Sequence, residues 1–140
     1  MAITQALVTS FKKELLQGVH NLDTDVFYMA LYTSNANISS TTTVYTTDGE
    51  TSGTGYTAGG ALLTNLGVTA SGTVAYASWE NAEWPGAVIS AAGGLIYNSS
   101  KGDKAVAVLN FGGTYTWDGS TTVTVTFPPN NSTTAVVIIN

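Results

Sequence analysis

Residues 26–33, which read VFYMALYT, constrain the fold more than any other part of the chain. In a strand, successive side chains point to opposite faces, and here both sets are apolar or aromatic. A strand of this kind is usually covered on both sides. We therefore expect residues 26–33 to form a central strand of a sheet inside the core.

An apolar stripe precedes this strand. Four apolar side chains recur at every fourth position, as on one face of a helix: Ile3, Leu7, Phe11 and Leu15. We predict an amphipathic helix over about residues 3–18, with Gly18 as a left-handed stop. Such a helix usually packs on its own sheet. The alternative is an interface helix that packs on a neighbouring subunit.

Short alternating segments fill the rest of the chain and are separated by Gly, Asn, Asp and Pro. We predict eight or nine strands over about residues 26–139, with turns every eight to twelve residues. This pattern is typical of a mainly β fold, either a two-sheet β-sandwich or a jelly-roll-like fold. With the N-terminal helix, it predicts one β-sandwich domain over residues 1–140.

Glycine pairs mark several of the predicted turns. Gly93-Gly94 and Gly112-Gly113 are expected to interrupt strands. Asp118-Gly119 lies between alternating segments, which predicts a hairpin of residues 114–117 with residues 121–127.

The charge pattern excludes one class of function. Charged residues make up 9% of the chain, against roughly 25% in an average soluble domain. The net charge is −5, and the only cations besides the termini are four lysines. A nucleic-acid binder needs a basic face, which this chain cannot form. A surface with few charges loses little hydration energy when another protein covers it. This mildly favours a protein that is part of a larger assembly.

Targeting and redox features are also absent from the sequence. The N-terminus lacks a basic segment followed by an apolar core, so we expect no signal peptide and synthesis in the cytosol of the producing cell. The longest apolar runs are too short to span a bilayer, so we expect no membrane association. The chain contains no cysteine, which excludes disulfides and thiolate metal sites.

Two groups of residues could suggest chemistry. His20 lies near Asp23 and Asp25, as in some metal sites or acid–base pairs, but no second His or Cys supports a metal site. We interpret this group as a solvated turn or a local hydrogen bond.

The second group is a pair of glutamates flanked by tryptophans. Glu80 and Glu83 resemble a paired-carboxylate site, and Trp79 and Trp84 suggest a platform for a sugar ring. We interpret residues 79–84 mainly as a structural loop, with sugar binding as the alternative. The glycine-rich residues 53–60 lack the lysine and the following helix of a phosphate loop, so we predict turns there. We predict no catalytic residue, no cofactor and no metal.

Five segments spread over most of the chain carry a resemblance to known proteins: FKKELLQGVH (11–20), MALYTSNA (29–36), VYTTDGETSGTGYTAGGALLT (44–64), GGLIYNSS (93–100) and KAVAVLNFGG (104–113). In this order and spacing they resemble a family of small virion proteins of tailed bacteriophages. The resemblance implies a structural protein of the phage particle. It implies no enzymatic activity and no catalytic residue.

From this resemblance we expect a capsid cement or decoration protein, made in the host bacterial cytoplasm and located in the virion. It would form homo-oligomers, expected as trimers, and stabilise the particle by contacts with the major capsid protein. One alternative is a tail, baseplate or fibre-associated component that contacts tail proteins. Another is a glycan-binding tip that uses Trp79, Trp84, Trp117 and the tyrosines.

The expected contact surfaces are the N-terminal helix, the loop of residues 49–60 and the loop of residues 79–84. Bulky apolar and aromatic side chains supply most of the binding energy in such contacts. The candidate interface side chains on these surfaces are Leu7, Phe11, Leu15, Tyr56, Trp79 and Trp84.

Overall fold

A computed structural model describes residues 2–140. The chain is 45% strand and 8% helix, so the predicted mainly β sandwich with one N-terminal helix is confirmed. In chain order the elements are β1 (Ala6–Leu7), α1 (Thr9–Leu16), β2 (Phe27–Tyr32), β3 (Ala61–Leu62), β4 (Asn65–Ser71), β5 (Val74–Trp79), β6 (Ala82–Trp84), β7 (Val88–Asn98), a 3₁₀ turn (Ser99–Lys101), β8 (Lys104–Asp118), β9 (Val123–Val125) and β10 (Val137–Ile139).

The strands form three antiparallel sheets. The largest has five strands in the order β1-β8-β7-β2-β3, the second has the order β10-β5-β4, and the third pairs β6 with β9. No helix within residues 2–140 is long and apolar enough to cross a membrane. The pairs β7–β8 and β4–β5 join consecutive strands, whereas β1–β8, β2–β7, β10–β5 and β6–β9 join strands that are far apart in sequence, so the sheets combine local and long-range pairing.

Strand β2 occupies the segment that the sequence predicts as a buried strand. It lies between β7 and β3, and all its residues except Tyr28 are buried. The ring of Phe27 lies 5.2 Å from that of Trp79 in an edge-on arrangement, which joins the five-stranded sheet to β5. The middle position of the sheet belongs to β7, so β2 is an interior strand rather than the central one.

Helix α1 is much shorter than the predicted residues 3–18. Residues before it are extended, because Ala6–Leu7 pairs with β8 and the Val8 N–H donates to the Val106 carbonyl at 3.0 Å. The four-residue spacing of apolar side chains therefore crosses from a strand into a helix. Gly18 has a φ of +72°, which confirms the predicted left-handed stop.

Two glycine pairs that the sequence predicts as strand breaks lie inside strands. Gly93-Gly94 is within β7, and a side chain at Gly93 would lie 2.5 Å from the Leu109 carbonyl oxygen. Glycine at this position allows the close approach of β8 rather than ending the strand. Gly112-Gly113 lies within β8, in a bulge between the residues paired with Ala91 and Gly93.

The predicted hairpin at Asp118-Gly119 is wrong. Asp118 pairs with Val88 of β7, and β9 pairs with β6 instead of with the end of β8. Residues 79–84, expected as a loop, thus contain a strand. Ile89 and Val123 are both buried in these long-range pairings, and their burial outweighs the local preference of an Asp-Gly turn.

Candidate functional site: an aromatic groove beside a free strand edge

Three of the six candidate interface residues are buried inside the chain's own core. Phe11, Trp79 and Trp84 are 0%, 2% and 4% exposed. The Trp79 ring contacts Phe27 and also lies 6.5 Å from the ring of Phe127. The spacing of apolar residues and the glycines near them in the sequence do not show whether a side chain faces a partner or fills the core. In this fold these three residues stabilise the chain and offer no surface to a partner.

The other three candidates are partly exposed and lie apart from one another. Leu7 pairs with Ala107 in the short β1 ladder. Leu15 lines a shallow groove beside β5 and β10. Tyr56 has its hydroxyl within hydrogen-bonding distance of Glu50. The structure therefore does not bring the candidate residues together into one site.

Glu50 organises the glycine-rich loop of residues 49–60. Its Oε1 accepts a hydrogen bond from the Tyr45 hydroxyl at 2.5 Å. Its Oε2 accepts one from the Tyr56 hydroxyl at 2.6 Å and one from the Gly59 N–H at 2.8 Å. Charge-assisted hydrogen bonds of this kind are about twice as strong as neutral ones. The Glu50 carboxylate thus fixes Tyr45, Tyr56 and Gly59, three points of residues 45–60, which contain almost no regular secondary structure.

Two further tyrosines hold the same segment against the five-stranded sheet. The Tyr32 hydroxyl donates to the Thr46 carbonyl and the Tyr97 hydroxyl donates to the Gly59 carbonyl, both at 2.6 Å. The rings of Tyr45 and Tyr97 stack with centroids 4.7 Å apart. Burial, together with the nearby Asp103 and Glu50 charges, raises the pKa of Tyr97 to about 12. This arrangement keeps the hydroxyl protons in place.

The loop glycines serve close packing rather than phosphate binding. A side chain at Gly60 would lie 1.8 Å from the Met29 carbonyl oxygen, and one at Gly53 would lie 2.0 Å from the Val88 carbonyl oxygen. Both glycines also have positive φ, which other residues adopt only with strain. The segment is therefore a tightly fitted cover over β2 and β7.

His20 belongs to a buried hydrogen-bond network. Its Nε2 lies 2.9 Å from Glu14 Oε1, and its Nδ1 lies 2.9 Å from Asn98 Nδ2. The same Asn98 amide donates to Asp25 Oδ2 at 2.8 Å. The hydrogen-bond interpretation of this group therefore applies, and the imidazole is buried rather than solvated. Among residues 2–140, no three His, Asp or Glu side chains lie close enough to hold a metal ion.

Asp25 is held in its charged form by this network. Desolvation acts to raise its pKa, but hydrogen bonds from the Asn21 N–H and the Asn98 amide, aided by the Lys101 charge, more than offset that effect. The pKa of Asp25 consequently lies below its ordinary value. The network links the end of α1 to the end of β7 and so has a structural role.

Glu80 and Glu83 border a shallow polar depression of about 430 Å³ together with Trp79 and Asn130. Both carboxylates are exposed to solvent. Among the residues that the structure describes, the buried indole Nε1 of Trp79 has no hydrogen-bond partner. Because Trp79 is buried, it cannot serve as a flat platform for a sugar ring, so this part of the glycan hypothesis loses its main support.

A groove of about 460 Å³ lies on the outer part of β8. Four apolar or aromatic side chains of that strand line one wall: Leu109, Phe111, Tyr115 and Trp117. Thr124, Val125 and Pro128 line the other wall. The rings of Tyr115 and Trp117 are 6.2 Å apart, and Tyr115 is 53% exposed. We call this surface the β8 groove.

Beyond Asn110, the edge of β8 next to this groove pairs with no strand of residues 2–140. The Val88 N–H donates to Thr54, and the Ser90 carbonyl accepts from the Thr51 hydroxyl, so both point away from β8. Opposite residues of an antiparallel pair alternate between bonded and non-bonded pairs. Thr116 and Asp118, which face Ser90 and Val88, therefore direct their backbone N–H and C=O groups outward. Both residues are exposed to solvent.

The glycan hypothesis from the sequence includes Trp117 and the tyrosines but not Phe111. The alternating aromatic residues of YTWD are visible in the sequence, where they predict a short hairpin. Only the real pairing of β8 with β7 shows that the opposite edge is free. The residues that line the groove are apolar, aromatic or neutral polar, without a histidine, an acid or a lysine.

No protein-family model, curated protein or solved structure matches this chain. The function of the β8 groove is therefore argued from its geometry and from the resemblance of the sequence motifs.

Proposed function

We propose that this chain is a non-enzymatic structural protein of a tailed-phage virion, namely a capsid cement or decoration protein. One observation supports this role best: an exposed aromatic groove lies beside an unpaired strand edge on a surface with few charges. The proposed partner is the major capsid protein, with self-association of this chain on the particle. The protein would be made in the host bacterial cytoplasm and would reside in the virion.

The proposed mechanism is physical. Covering Tyr115, Phe111 and Trp117 removes apolar area from water, which contributes roughly 25 cal/mol per Å² before the costs of association. Few charged groups lose hydration in the process, because only 9% of the residues are charged. Many copies on a symmetric shell would then turn a weak single contact into stable attachment.

The test is co-sedimentation of the purified full chain with expanded capsids that lack it, together with the melting temperature of those capsids. We expect the chain to sediment with the shell and to raise its melting temperature. Tyr115→Asp should weaken binding. Leu62→Asp is the matched control, because Leu62 is 61% exposed on β3, at the opposite edge of the same sheet. Failure of the unmodified chain to bind capsids would exclude the decoration role.

A second candidate is a tail, baseplate or fibre-associated component that binds a glycan. It draws on Trp117, the only one of the three tryptophans that is not buried, which lies in the β8 groove with the amide side chains of Gln5 and Asn110. Antibody labelling of intact particles would separate a shell position from a tail position. A glycan array with the unmodified chain and with Trp117→Ala would test sugar binding. The absence of hits, with unchanged host adsorption of Trp117→Ala particles, would exclude it.

A further inference from the structure

We propose that the free edge of β8 pairs with the same edge of a second copy, antiparallel, about a two-fold axis at Thr116. The occupant of this edge is thus another molecule of this chain. The proposal deepens the self-association named under the proposed function, and it is tested without capsids. A two-fold contact uses the edge of both copies and closes on a pair, so it replaces the trimer expected from the sequence.

The backbone of this edge is self-complementary. Thr116 and Asp118 direct their N–H and C=O groups outward, as the bonds of Val88 and Ser90 to residues on the other side of β7 require. If Thr116 faces Thr116 of the second copy, the two residues exchange both hydrogen bonds. Asp118 then falls opposite Thr114 of the second copy, which follows the bulge and which the alternation along β8 would also direct outward. The same register therefore satisfies the outward groups of Thr116 and Asp118.

The side chains agree with this register. Tyr115 falls directly opposite Trp117 of the second copy, on the face of the strand that lines the β8 groove. The same contact occurs twice because the axis is two-fold. Aromatic pairs directly opposite each other in antiparallel strands stabilise the pairing more than alanine pairs do. The pairing would thus cover Tyr115, which is 53% exposed in the β8 groove.

Charge does not oppose the contact. Residues 109–117 contain no charged side chain and no proline, the residue types that commonly prevent edge pairing. The single acid, Asp118, would face Thr114 of the second copy. The two Asp118 residues would be separated along the strands by roughly 13 Å, at about 3.3 Å per residue. This distance exceeds the Debye length of about 8 Å at physiological ionic strength.

Cysteine cross-linking tests the register directly, because the chain contains no cysteine of its own. Bonded antiparallel pairs have Cα atoms about 5.5 Å apart, within the range that a disulfide bridges. Under mild oxidation, Thr116→Cys should form a covalent dimer. Asp118→Cys should not, because its symmetric partner is too far away. Ala70→Cys, on the exposed outer strand β4, controls for random collision.

Solution mass tests the same contact without covalent chemistry. Thr116→Pro removes one outward N–H and should raise the dimer dissociation constant by at least about tenfold in sedimentation equilibrium, since proline is tolerated at strand edges but cannot donate. Ala70→Pro is the matched control. The Val68 N–H donates to Asp23, so the N–H of Ala70, two residues on, also faces away from β5.

A monomer at all accessible concentrations would overturn the proposal, as would a trimer. Equal cross-linking of Asp118→Cys and Thr116→Cys, or dissociation by Ala70→Pro but not by Thr116→Pro, would also overturn it. Capsid binding is measured separately from pairing. A paired protein that ignores capsids would refute the decoration role alone, and a capsid-binding monomer would refute the pairing alone.

Discussion

The hydroxyl of Tyr56 donates a hydrogen bond to Oε2 of Glu50 at 2.6 Å and at the same time accepts one from the Leu31 N–H at 2.9 Å. A side chain of the glycine-rich loop thus joins the half-buried Glu50 carboxylate to the backbone of β2. This double role explains how a long polar segment stays folded against the sheet.

Removal of the Tyr56 hydroxyl should therefore destabilise the whole fold. We expect Tyr56→Phe to lower the free energy of unfolding by about 1–3 kcal/mol, because Glu50 loses a donor and the Leu31 N–H loses its acceptor. Urea denaturation measures the change. Tyr115→Phe is the control, since Tyr115 is exposed, and its effect should be close to zero. Equal effects of the two variants would contradict the role given to Tyr56.

Stability should fall at alkaline pH because of the same tyrosines. Burial first, and the Glu50 carboxylate next, raise the pKa of Tyr32 and Tyr56 above the ordinary value of 10.0, and the pKa of Tyr97 rises to about 12. The unfolded chain therefore loses these protons at lower pH than the folded chain does. This stability is fully present below pH 10 and is lost as pH rises through the folded pKa values.

Urea denaturation at a series of pH values between 8 and 12 checks this expectation. The free energy of unfolding should stay level at first and then decline above about pH 10. Tyr97→Phe should show a shallower decline, because one of the perturbed groups is gone. A flat profile across the whole range would contradict the raised pKa values.

Asp25 should produce the opposite dependence at acid pH. Its pKa is lowered in the fold by its hydrogen bonds to Asn21 and Asn98, despite the opposing effect of desolvation. The stability it provides is present above the ordinary pKa of 3.8 and is lost as pH falls through the folded pKa. At pH 7, we expect Asp25→Asn to cost about 1–3 kcal/mol.

The difference between the unmodified chain and Asp25→Asn should shrink as the pH approaches 2, which denaturation curves at several pH values will show. Asp48→Asn is the matched control at an exposed carboxylate and should change little. A difference that persists unchanged in acid would show that Asp25 acts through packing rather than through charge.

The two faces of helix α1 should respond very differently to truncation. Phe11 is fully buried, so Phe11→Ala should cost about 3–5 kcal/mol through lost burial and the cavity left behind. Leu16, in the same helix, is 91% exposed, and Leu16→Ala should have almost no effect on unfolding. A large effect at Leu16 in the isolated chain would indicate that this end of the helix packs in a way the structure does not show.

The hydrogen bonds of His20 also predict its tautomer. The Ser100 N–H donates to Asn98 Oδ1 at 3.0 Å, which fixes the amide so that its Nδ2 faces His20 Nδ1. Nδ1 must then be an acceptor, and the proton resides on Nε2, where it is donated to Glu14. Nitrogen-15 NMR at neutral pH should show the neutral Nε2–H form. Detection of the Nδ1–H form would contradict the assignment. Asn35→Ala is the control and should leave the signals of His20 unchanged.

Much of the fold follows from local patterns in the sequence. The alternation of residues 26–33, the apolar end of the chain and the positive φ of Gly18 were all predictable, because each reflects a short-range periodicity or a single backbone preference. The pairing of Asp118 with Val88 was not predictable in this way. It depends on which distant strand buries Ile89, and a local turn signal contains no such information.

The site was harder to predict than the fold. Trp79 and Trp84 looked like surface aromatics because they flank two glutamates, but their exposure depends on where β6 pairs. Glu50 gave no signal at all, since its three donors come from Tyr45, Tyr56 and Gly59 only after the loop has closed. The aromatic residues of β8 were visible, and only the sheet order shows that their edge is free.

The order of strands in the large sheet also governs when this chain can begin to fold during translation. Phe27 pairs with Asn98, and β7 in turn pairs with β8, so β2 leaves the ribosome long before β7, its longer neighbour, is complete. Until β7 is made, the apolar residues of β2 lack the strand that covers them in the fold. Pairing of β2 with β7 must also close a long loop, which is slow. During a large part of its synthesis the nascent chain therefore exposes its most apolar strand, and a chaperone that binds extended apolar segments would protect it from aggregation during that time.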